Sequence, residues 1–203
     1  MILMVKQRLK IVVHIWKQMF KQHEYYDWNS LIDADARQSI CQVVKGGIEA
    51  GRYWKNSPKF QTDWNVFVGE PPFTSHFINL KMSFIWSCFA YLGREVQIKN
   101  VQSWSFMTSL NTAEDRDVLW HHHNHNPNTT TVSGVYYLYL PDDVSDLEKA
   151  GTELAPNGVD GDGKYFAGWR TGNWMIYPGK IWHRPGVLQS HKNRFIVAAD
   201  MEF

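Results

Sequence analysis

The order of the predicted secondary structure most restricts how this chain of 203 residues can fold. Two helical patterns come first, over Asp27–Gly51 and Ser75–Leu92, each with an apolar face and a glycine at its end. Strand patterns rich in β-branched and aromatic residues follow at 97–107, 130–140, 173–178 and 193–203. Helices followed by strands predict an α+β protein in which N-terminal helices support a β-barrel or sandwich.

We expect a single domain over residues 1–203. Residues 1–95 are predicted to be mainly helical support, and residues 96–203 to form the β-barrel core. The alternation at 10–20 suits an early strand, and a short basic helix is the alternative. The loop-like segments 53–73 and 156–168 are predicted to act as lids at the mouth of the barrel.

Charge and apolar patterning exclude some partners. Lys plus Arg number 21 against 20 Asp plus Glu, so we expect neither a nucleic acid nor an anionic membrane as partner. The longest apolar stretch, 82–92, is too short to span a bilayer. Cys41 and Cys88 form no paired motif, which favours reduced thiols in a cytoplasmic protein. The oligomeric state cannot be predicted from these features.

Four histidines lie within residues 121–125, directly before the strand pattern at 130–140. Imidazole is the commonest metal-ligating side chain near neutral pH. Because alternate residues of a strand share a face, His123 and His125 point to the same side, and His121 joins them if the strand begins early enough. The run therefore predicts two metal ligands on one face and needs a third from elsewhere.

His183 is the best third ligand because it follows an apolar strand and a Pro-Gly turn. Farther along, Arg194 opens the last strand and shares a face with Ile196 and Ala198. An arginine on such a face is costly to desolvate unless an anion meets it, and a carboxylate is its natural bidentate partner. A metal and a carboxylate are thus the two ligands predicted here.

These residues carry a family resemblance. The chain from 103 to 199 resembles the 2-oxoglutarate- and Fe(II)-dependent oxygenases, and most of all their small prolyl-hydroxylase-like branch of bacteria and phages. The matching segments, in the order and at the intervals typical of the family, are 123–128, 133–138, 151–154, 172–178, His183 and Arg194. The resemblance implies a double-stranded β-helix, a jelly-roll or cupin-like barrel, buttressed by the N-terminal helices.

The resemblance also implies an activity. The cofactors would be Fe(II), 2-oxoglutarate as cosubstrate and O2, and the products succinate, CO2 and a hydroxylated small molecule or peptidyl residue. His123 and His183 would bind the iron. Arg194 would pair with the distal carboxylate of 2-oxoglutarate, Tyr137 would donate a hydroxyl to the same carboxylate, and Ser133, on the face of Tyr137, would assist.

One position departs from the family pattern. The first motif of the family is His-x-Asp or His-x-Glu, and residue 125 is a histidine instead. We therefore assign the metal to His123, His125 and His183, which leaves it one unit more positive than two histidines and a carboxylate would.

Several alternatives stay open. A register shifted to His121 and His123 is a lesser one, and Asp117 or Glu153 would supply a carboxylate, although both are expected to be surface residues. Three histidines also suit zinc. Two rival functions remain, namely a three-histidine cupin-type dioxygenase that does not use 2-oxoglutarate, and a non-enzymatic barrel that binds a metal or an anion.

Overall fold

The structure is a computed structural model that describes residues 26–30, 32–55, 60–69, 71–108, 120–123 and 128–203. Its elements in chain order are β1 (Tyr26–Asn29), α1 (Ala34–Glu49), β2 (Phe60–Gln61), a 3-10 turn (Val66–Val68), α2 (Thr74–Leu92), β3 (Asn100–Thr108), β4 (Thr131–Tyr139), β5 (Thr152–Ala155), β6 (Tyr165–Ala167), β7 (Asn173–Pro178), β8 (Trp182–Pro185) and β9 (Arg194–Glu202).

The described strands form two sheets. The larger has six strands in the order β1-β7-β4-β9-β3-β2, and the smaller has three in the order β6-β5-β8. Every pairing between neighbours is antiparallel. The predicted α+β combination of helices packed on β-sheets is confirmed. The predicted barrel is not, because the strands that the structure describes make two separate sheets rather than one closed ring.

One face of the six-stranded sheet is covered by the helices. Ile40 and Val44 of α1 and Phe84 of α2 are fully buried in a core that also contains most even-numbered residues of β4 and β7. Each buried side chain of this size contributes roughly 1.5–3 kcal/mol. Gly134 permits the close approach of α2, because a Cβ there would lie 2.7 Å from the Phe84 ring.

The other face of the same sheet packs against the three-stranded sheet. Its core joins Val135 of β4, Met175 of β7 and Ile196 of β9 to Leu154 of β5. Strand alternation explains this division, since odd-numbered residues of β4 and β7 and even-numbered residues of β9 all point away from the helices. The candidate site residues lie in this second layer.

The predicted helices and long strands agree with the structure except at the start of α1, whereas β2 and β6 lie within the segments 53–73 and 156–168 that were predicted as loops. The pattern predicted a helix from Asp27, which is wrong because 26–29 form strand β1 against β7. The helix begins after Asp33, whose carboxylate caps it by accepting a hydrogen bond from the Ala36 amide at 2.8 Å. The second predicted helix and the four long strands are confirmed within a few residues.

The early strand predicted at 10–20 lies outside the described residues. Within them, neither helix has the length and apolar character that a bilayer crossing requires.

Candidate metal centre

Three histidines converge between the two sheets. They are His121 and His123, in the segment before β4, and His183 on β8. Their ring centroids lie 5.1 Å apart for His121 and His123, 4.2 Å for His121 and His183, and 4.9 Å for His123 and His183. One ring nitrogen from each lies within 4.8 Å of the others.

Backbone pairing fixes this arrangement. The His121 amide donates to the His183 carbonyl at 3.1 Å, and the His183 amide donates back to the His121 carbonyl at 2.9 Å. The amide of His123 donates to the carbonyl of Gly179 at 2.8 Å. His121 and His183 are therefore opposite partners of an antiparallel bridge, and His123, two residues on, shares their face.

His183 already uses one of its ring nitrogens in a hydrogen bond. Its Nδ1 lies 3.0 Å from the Ile181 carbonyl oxygen, and because a carbonyl only accepts, Nδ1 carries the proton. Nε2 is then the nitrogen with a lone pair for a metal. A metal-binding histidine typically has its other nitrogen tied back in this manner.

His123 is held in the same way by a carboxylate. Its Nδ1 lies 2.7 Å from Oδ1 of Asp200 on β9. The hydroxyl of Ser133 donates to the same Oδ1 at 2.7 Å and lies 3.3 Å from His123 Nδ1. Asp200 and Ser133 are 4% and 0% exposed, and they are direct partners in the β4–β9 register.

The three imidazoles fit a transition metal. Bonds of ~2.1 Å from nitrogen to metal require ligand atoms within about 4 Å of one another, which is close to the present separation. The partly open position of His121 and His123 contrasts with the burial of His183. Three histidines without a fourth protein ligand among the described residues are typical of a site that keeps positions for exogenous ligands.

The cluster contains two of the three predicted metal ligands. The structure brings His123 and His183 together, with His121 as the third member, which is the lesser alternative of the sequence analysis. His125 lies outside the described residues, so the set that contains it stays a prediction. The ring of His122 points the other way and contacts Trp182 edge-on, with centroids 4.7 Å apart.

The two alternative carboxylates do not join the cluster. Glu153 was expected at the surface, and this is wrong, because it is 9% exposed and paired with Arg184 at 2.8 Å. Both side chains leave the sheet on the face opposite to His183, since neighbours in a strand alternate. Asp117 lies outside the described residues.

Asp200 is the functional residue that sequence reasoning missed. The face of β9 that carries Arg194, Ile196 and Ala198 continues at residue 200. A carboxylate at that position of a buried strand was the available signal. Its partner His123 could not be found from sequence, because the pairing joins segments 77 residues apart.

Arg194 lies inside the protein, as predicted. It is 1% exposed, and its Nη1 donates to the carbonyl of Ala150 and, at 3.5 Å, to that of Gly186. Ile196 and Ala198, on the same face of β9, belong to the core between the sheets. The guanidinium is thus held at the end of this core opposite to Asp200.

Tyr137 shares the arginine end. Its hydroxyl forms a 2.6 Å hydrogen bond with the hydroxyl of Thr152 on β5. Burial raises the pKa of Tyr137 to about 12, although the positive charge of Arg194 acts in the opposite direction. The phenol is therefore protonated at neutral pH and remains a hydrogen-bond donor.

Ser133 lies at the other end of the core from Arg194. The register places it opposite Asp200, six residues from Arg194 along β9, which is about 20 Å at the usual rise of a strand. Its hydroxyl contacts His123 and Asp200, so the structure places it with the histidines rather than with Tyr137.

Tyr177 of β7 packs against the cluster. Its ring centroid lies 4.9 Å from that of His183. Burial raises the pKa of Tyr177 well above its usual value, and the negative charge of Asp200 raises it further. This neutral aromatic side chain helps to give the histidines a dry environment.

Comparison with known proteins gives no match by sequence. No protein-family model matches the chain, and no curated protein matches it. Solved structures match it over almost its whole length. The prolyl hydroxylase of Trichoplax adhaerens, solved with a peptide of the hypoxia inducible factor oxygen degradation domain, has a TM-score of 0.65 at 12% identity, over 96% of this chain and 90% of that one.

Two further structures match in the same way. A prolyl-4-hydroxylase of Pseudomonas putida has a TM-score of 0.61 at 12% identity, over 95% of this chain and 97% of that one. The epimerase SnoN, in complex with Fe3+, alpha ketoglutarate and nogalamycin RO, has a TM-score of 0.66 at 11% identity, over 94% and 83%. This chain therefore has the fold of the 2-oxoglutarate- and iron-dependent oxygenases, as its sequence motifs predicted.

Proposed function

We propose that this protein is an Fe(II)- and 2-oxoglutarate-dependent dioxygenase that hydroxylates an unactivated C–H bond, with release of succinate and CO2. The observation that carries the proposal is the convergence of His121, His123 and His183 in one interior that also contains the buried Arg194. The shared fold with SnoN, which was solved with Fe3+ and alpha ketoglutarate, supports it.

The three histidines would hold the iron. His123 and His183 each have Nδ1 committed to an oxygen atom, which orients Nε2 for the metal. When bound, the iron supplies the oxidising chemistry with O2 and 2-oxoglutarate. The chain contributes a fixed ligand face and leaves positions for the cosubstrate and oxygen.

Arg194 would hold the distal carboxylate of 2-oxoglutarate. A guanidinium binds a carboxylate through two parallel hydrogen bonds, and a buried environment strengthens them. The neutral phenol of Tyr137 and its partner Thr152 would donate a further hydrogen bond. Ser133 was predicted to assist at this end. We propose instead that it orients His123 and Asp200, which its hydroxyl contacts.

The apolar side chains between the two ends would exclude water. Val135, Leu154, Ile196 and Ala198 are all buried in the core between the sheets. A dry interior strengthens the pairing of Arg194 with a carboxylate and protects the reacting groups from side reactions. We expect the cosubstrate to lie in this interior, between the metal and Arg194.

The substrate would be a small molecule or a peptidyl residue. The Trichoplax adhaerens enzyme was solved with a peptide, and SnoN with nogalamycin RO, so this fold accommodates both kinds. The near-neutral charge gives no support to a nucleic acid.

The role of His125 is testable against that of His121. We expect His121→Ala to abolish metal binding by the purified protein, and His125→Ala to leave it within about twofold, as is usual for residues outside a site. The reverse result would establish the set of His123, His125 and His183. Equilibrium dialysis against Mn(II) measures both.

Two rival functions rest on the all-histidine ligand set. A three-histidine dioxygenase would not need 2-oxoglutarate, and a structural zinc site would have no exchangeable position. Metal analysis of the purified protein, followed by calorimetric titration with 2-oxoglutarate in the presence of Mn(II), separates them. Tight zinc without uptake of 2-oxoglutarate would favour the non-enzymatic alternative.

The decisive test of the proposed function removes the arginine. With Fe(II) and 2-oxoglutarate under air, the wild type is expected to release succinate, and Arg194→Ala to weaken 2-oxoglutarate binding at least tenfold, because a charged hydrogen-bonded pair is worth about 1.5–3 kcal/mol. Arg170→Ala, at an arginine that is 65% exposed, is the matched control. Wild-type protein that neither binds 2-oxoglutarate nor makes succinate would refute the proposal.

A further inference from the structure

We infer that Asp200 supplies, through the imidazole of His123, the negative charge that a ligating carboxylate provides in a two-histidine, one-carboxylate site. The inference rests on the proposed function, because it concerns the metal bound by His121, His123 and His183. Asp200 would act as a positioning residue through the ring of His123 and would not itself coordinate the metal.

The contacts of His123 define the role. Its Nδ1 lies 2.7 Å from Oδ1 of Asp200, so the proton on Nδ1 is donated to a carboxylate. Nε2 is then the nitrogen available to the metal. A carboxylate that accepts from the far nitrogen raises the basicity of the ligating one and fixes the orientation of the ring.

Asp200 is itself fixed in place. The Ser133 hydroxyl donates to its Oδ1 at 2.7 Å from the adjacent strand β4. Both residues are buried, at 4% and 0% exposure, and lie opposite each other in the antiparallel register. A buried carboxylate with two donors has a defined position, and its charge is poorly screened by solvent.

Asp200 is not itself a member of the candidate ligand group. The atoms that lie within 4.8 Å of one another come from His121, His123 and His183 alone among the described residues. This argues against a direct bond between Asp200 and the metal.

The same geometry explains the departure of the sequence from the family pattern. Three neutral imidazoles leave a divalent ion with its full charge, whereas the usual carboxylate cancels one unit. In this chain the carboxylate lies on β9, behind the histidine that takes part in binding. The net charge of the site with Asp200 included then equals that of the usual set.

The test uses Asp200→Asn, which keeps the shape and an accepting oxygen and removes the charge. Affinities for Co(II) and Fe(II) by calorimetry under nitrogen are expected to fall about 10- to 100-fold, the usual loss on changing a group behind a metal ligand. The midpoint potential of bound iron is expected to rise, because the ferric ion loses more than the ferrous ion when a negative charge is removed. Asp27→Asn, at a half-buried carboxylate on β1, is the matched control and should change neither value.

The results separate the inference from the function. A wild type that binds metal and makes succinate, with Asp200→Asn unchanged in affinity and potential, overturns the inference alone. A Co(II) absorption spectrum that shows loss of a ligand in Asp200→Asn overturns it in favour of direct ligation. Wild-type protein that binds no metal overturns both the inference and the function.

If Asp200→Asn does not fold, a milder variant tests the same inference. Ser133→Ala keeps the carboxylate and removes one of its two hydrogen bonds. It should shift affinity and potential in the same direction and by less, about two- to fivefold in affinity for one hydrogen bond of 0.5–1 kcal/mol. No shift in potential would mean that Ser133 and Asp200 only support the fold.

Discussion

The two faces of the six-stranded sheet differ sharply although they are built by the same strands. The face toward the helices is mainly apolar, with a buried polar contact in which the Trp174 indole donates to Ser83 at 2.9 Å. The face toward the small sheet buries His183, Arg194 and Asp200 among apolar residues. Strand alternation lets one sequence provide stability on one side and chemistry on the other.

Burying charged and polar groups on one face costs stability that the other face offsets. Mutations on the helix side should therefore change the free energy of unfolding and leave ligand binding intact. Mutations of the site residues on the small-sheet side should mainly change ligand binding.

The largest effect is expected from removing a histidine of the cluster. His183→Ala should weaken metal binding more than about 100-fold, beyond the loss typical of a residue behind a ligand. Calorimetry with Mn(II) measures this, and circular dichroism should show a folded metal-free protein. His191→Ala, at an exposed histidine between β8 and β9, is the control, and equal losses in both variants would refute the assignment.

Next comes a truncation on the helix face. Phe84→Ala should lower the free energy of unfolding by about 3–5 kcal/mol, because it leaves a cavity between α2 and the sheet. Urea denaturation measures the loss, while metal affinity of the folded protein should stay within twofold. Trp86→Ala on the same helix, at a side chain that is 56% exposed, should cost far less.

Tyr137, on the small-sheet face, should contribute a pH effect on stability. Because the pKa of Tyr137 is raised from 10.0 to about 12, its protonated form stabilises the fold below pH 10, and this stability is lost as the pH rises toward 12. The loss is about 2–3 kcal/mol. Tyr137→Phe should flatten that part of the alkaline stability curve, measured by urea denaturation. Tyr139→Phe, at an exposed tyrosine of β4, should not, and an identical curve for both variants would contradict the assignment.

The smallest effect is expected at the cap of α1. Asp33→Ala removes the bond to the Ala36 amide and should cost about 1 kcal/mol. Metal and 2-oxoglutarate affinities should not change. Asp35→Ala in the same turn is the control, and thermal denaturation distinguishes the two. A change of metal affinity in Asp33→Ala would mean that the two faces are coupled.

Long periodic elements were predictable from the sequence. The apolar stripe of α2 and the alternation of β4, β7 and β9 placed these elements and the buried direction of Arg194. The three-stranded sheet was not predicted as a whole, because β5, β6 and β8 have only three or four residues each. Strands this short do not show an alternating pattern in the sequence. Whether they form depends on the strands with which they pair.

The sequence predicted the type of metal ligand and two of the three histidines in the cluster. His183 and His123 followed from strand alternation and family motifs. The choice between His121 and His125 depends on where the strand starts. The bridge between His121 and His183 places His121 in the cluster, whereas His125 lies outside the described residues and stays a prediction. Asp200 required a contact between distant segments, which no local pattern encodes.

The most direct test of the central claim is a crystal structure of the protein with Mn(II) and 2-oxoglutarate, grown without oxygen. We predict Mn(II) bound by Nε2 of His123 and His183 and by a ring nitrogen of His121, with the distal carboxylate of 2-oxoglutarate on Arg194 and Asp200 still hydrogen-bonded to His123. Mn(II) on another ligand set, or 2-oxoglutarate bound away from Arg194, would contradict it.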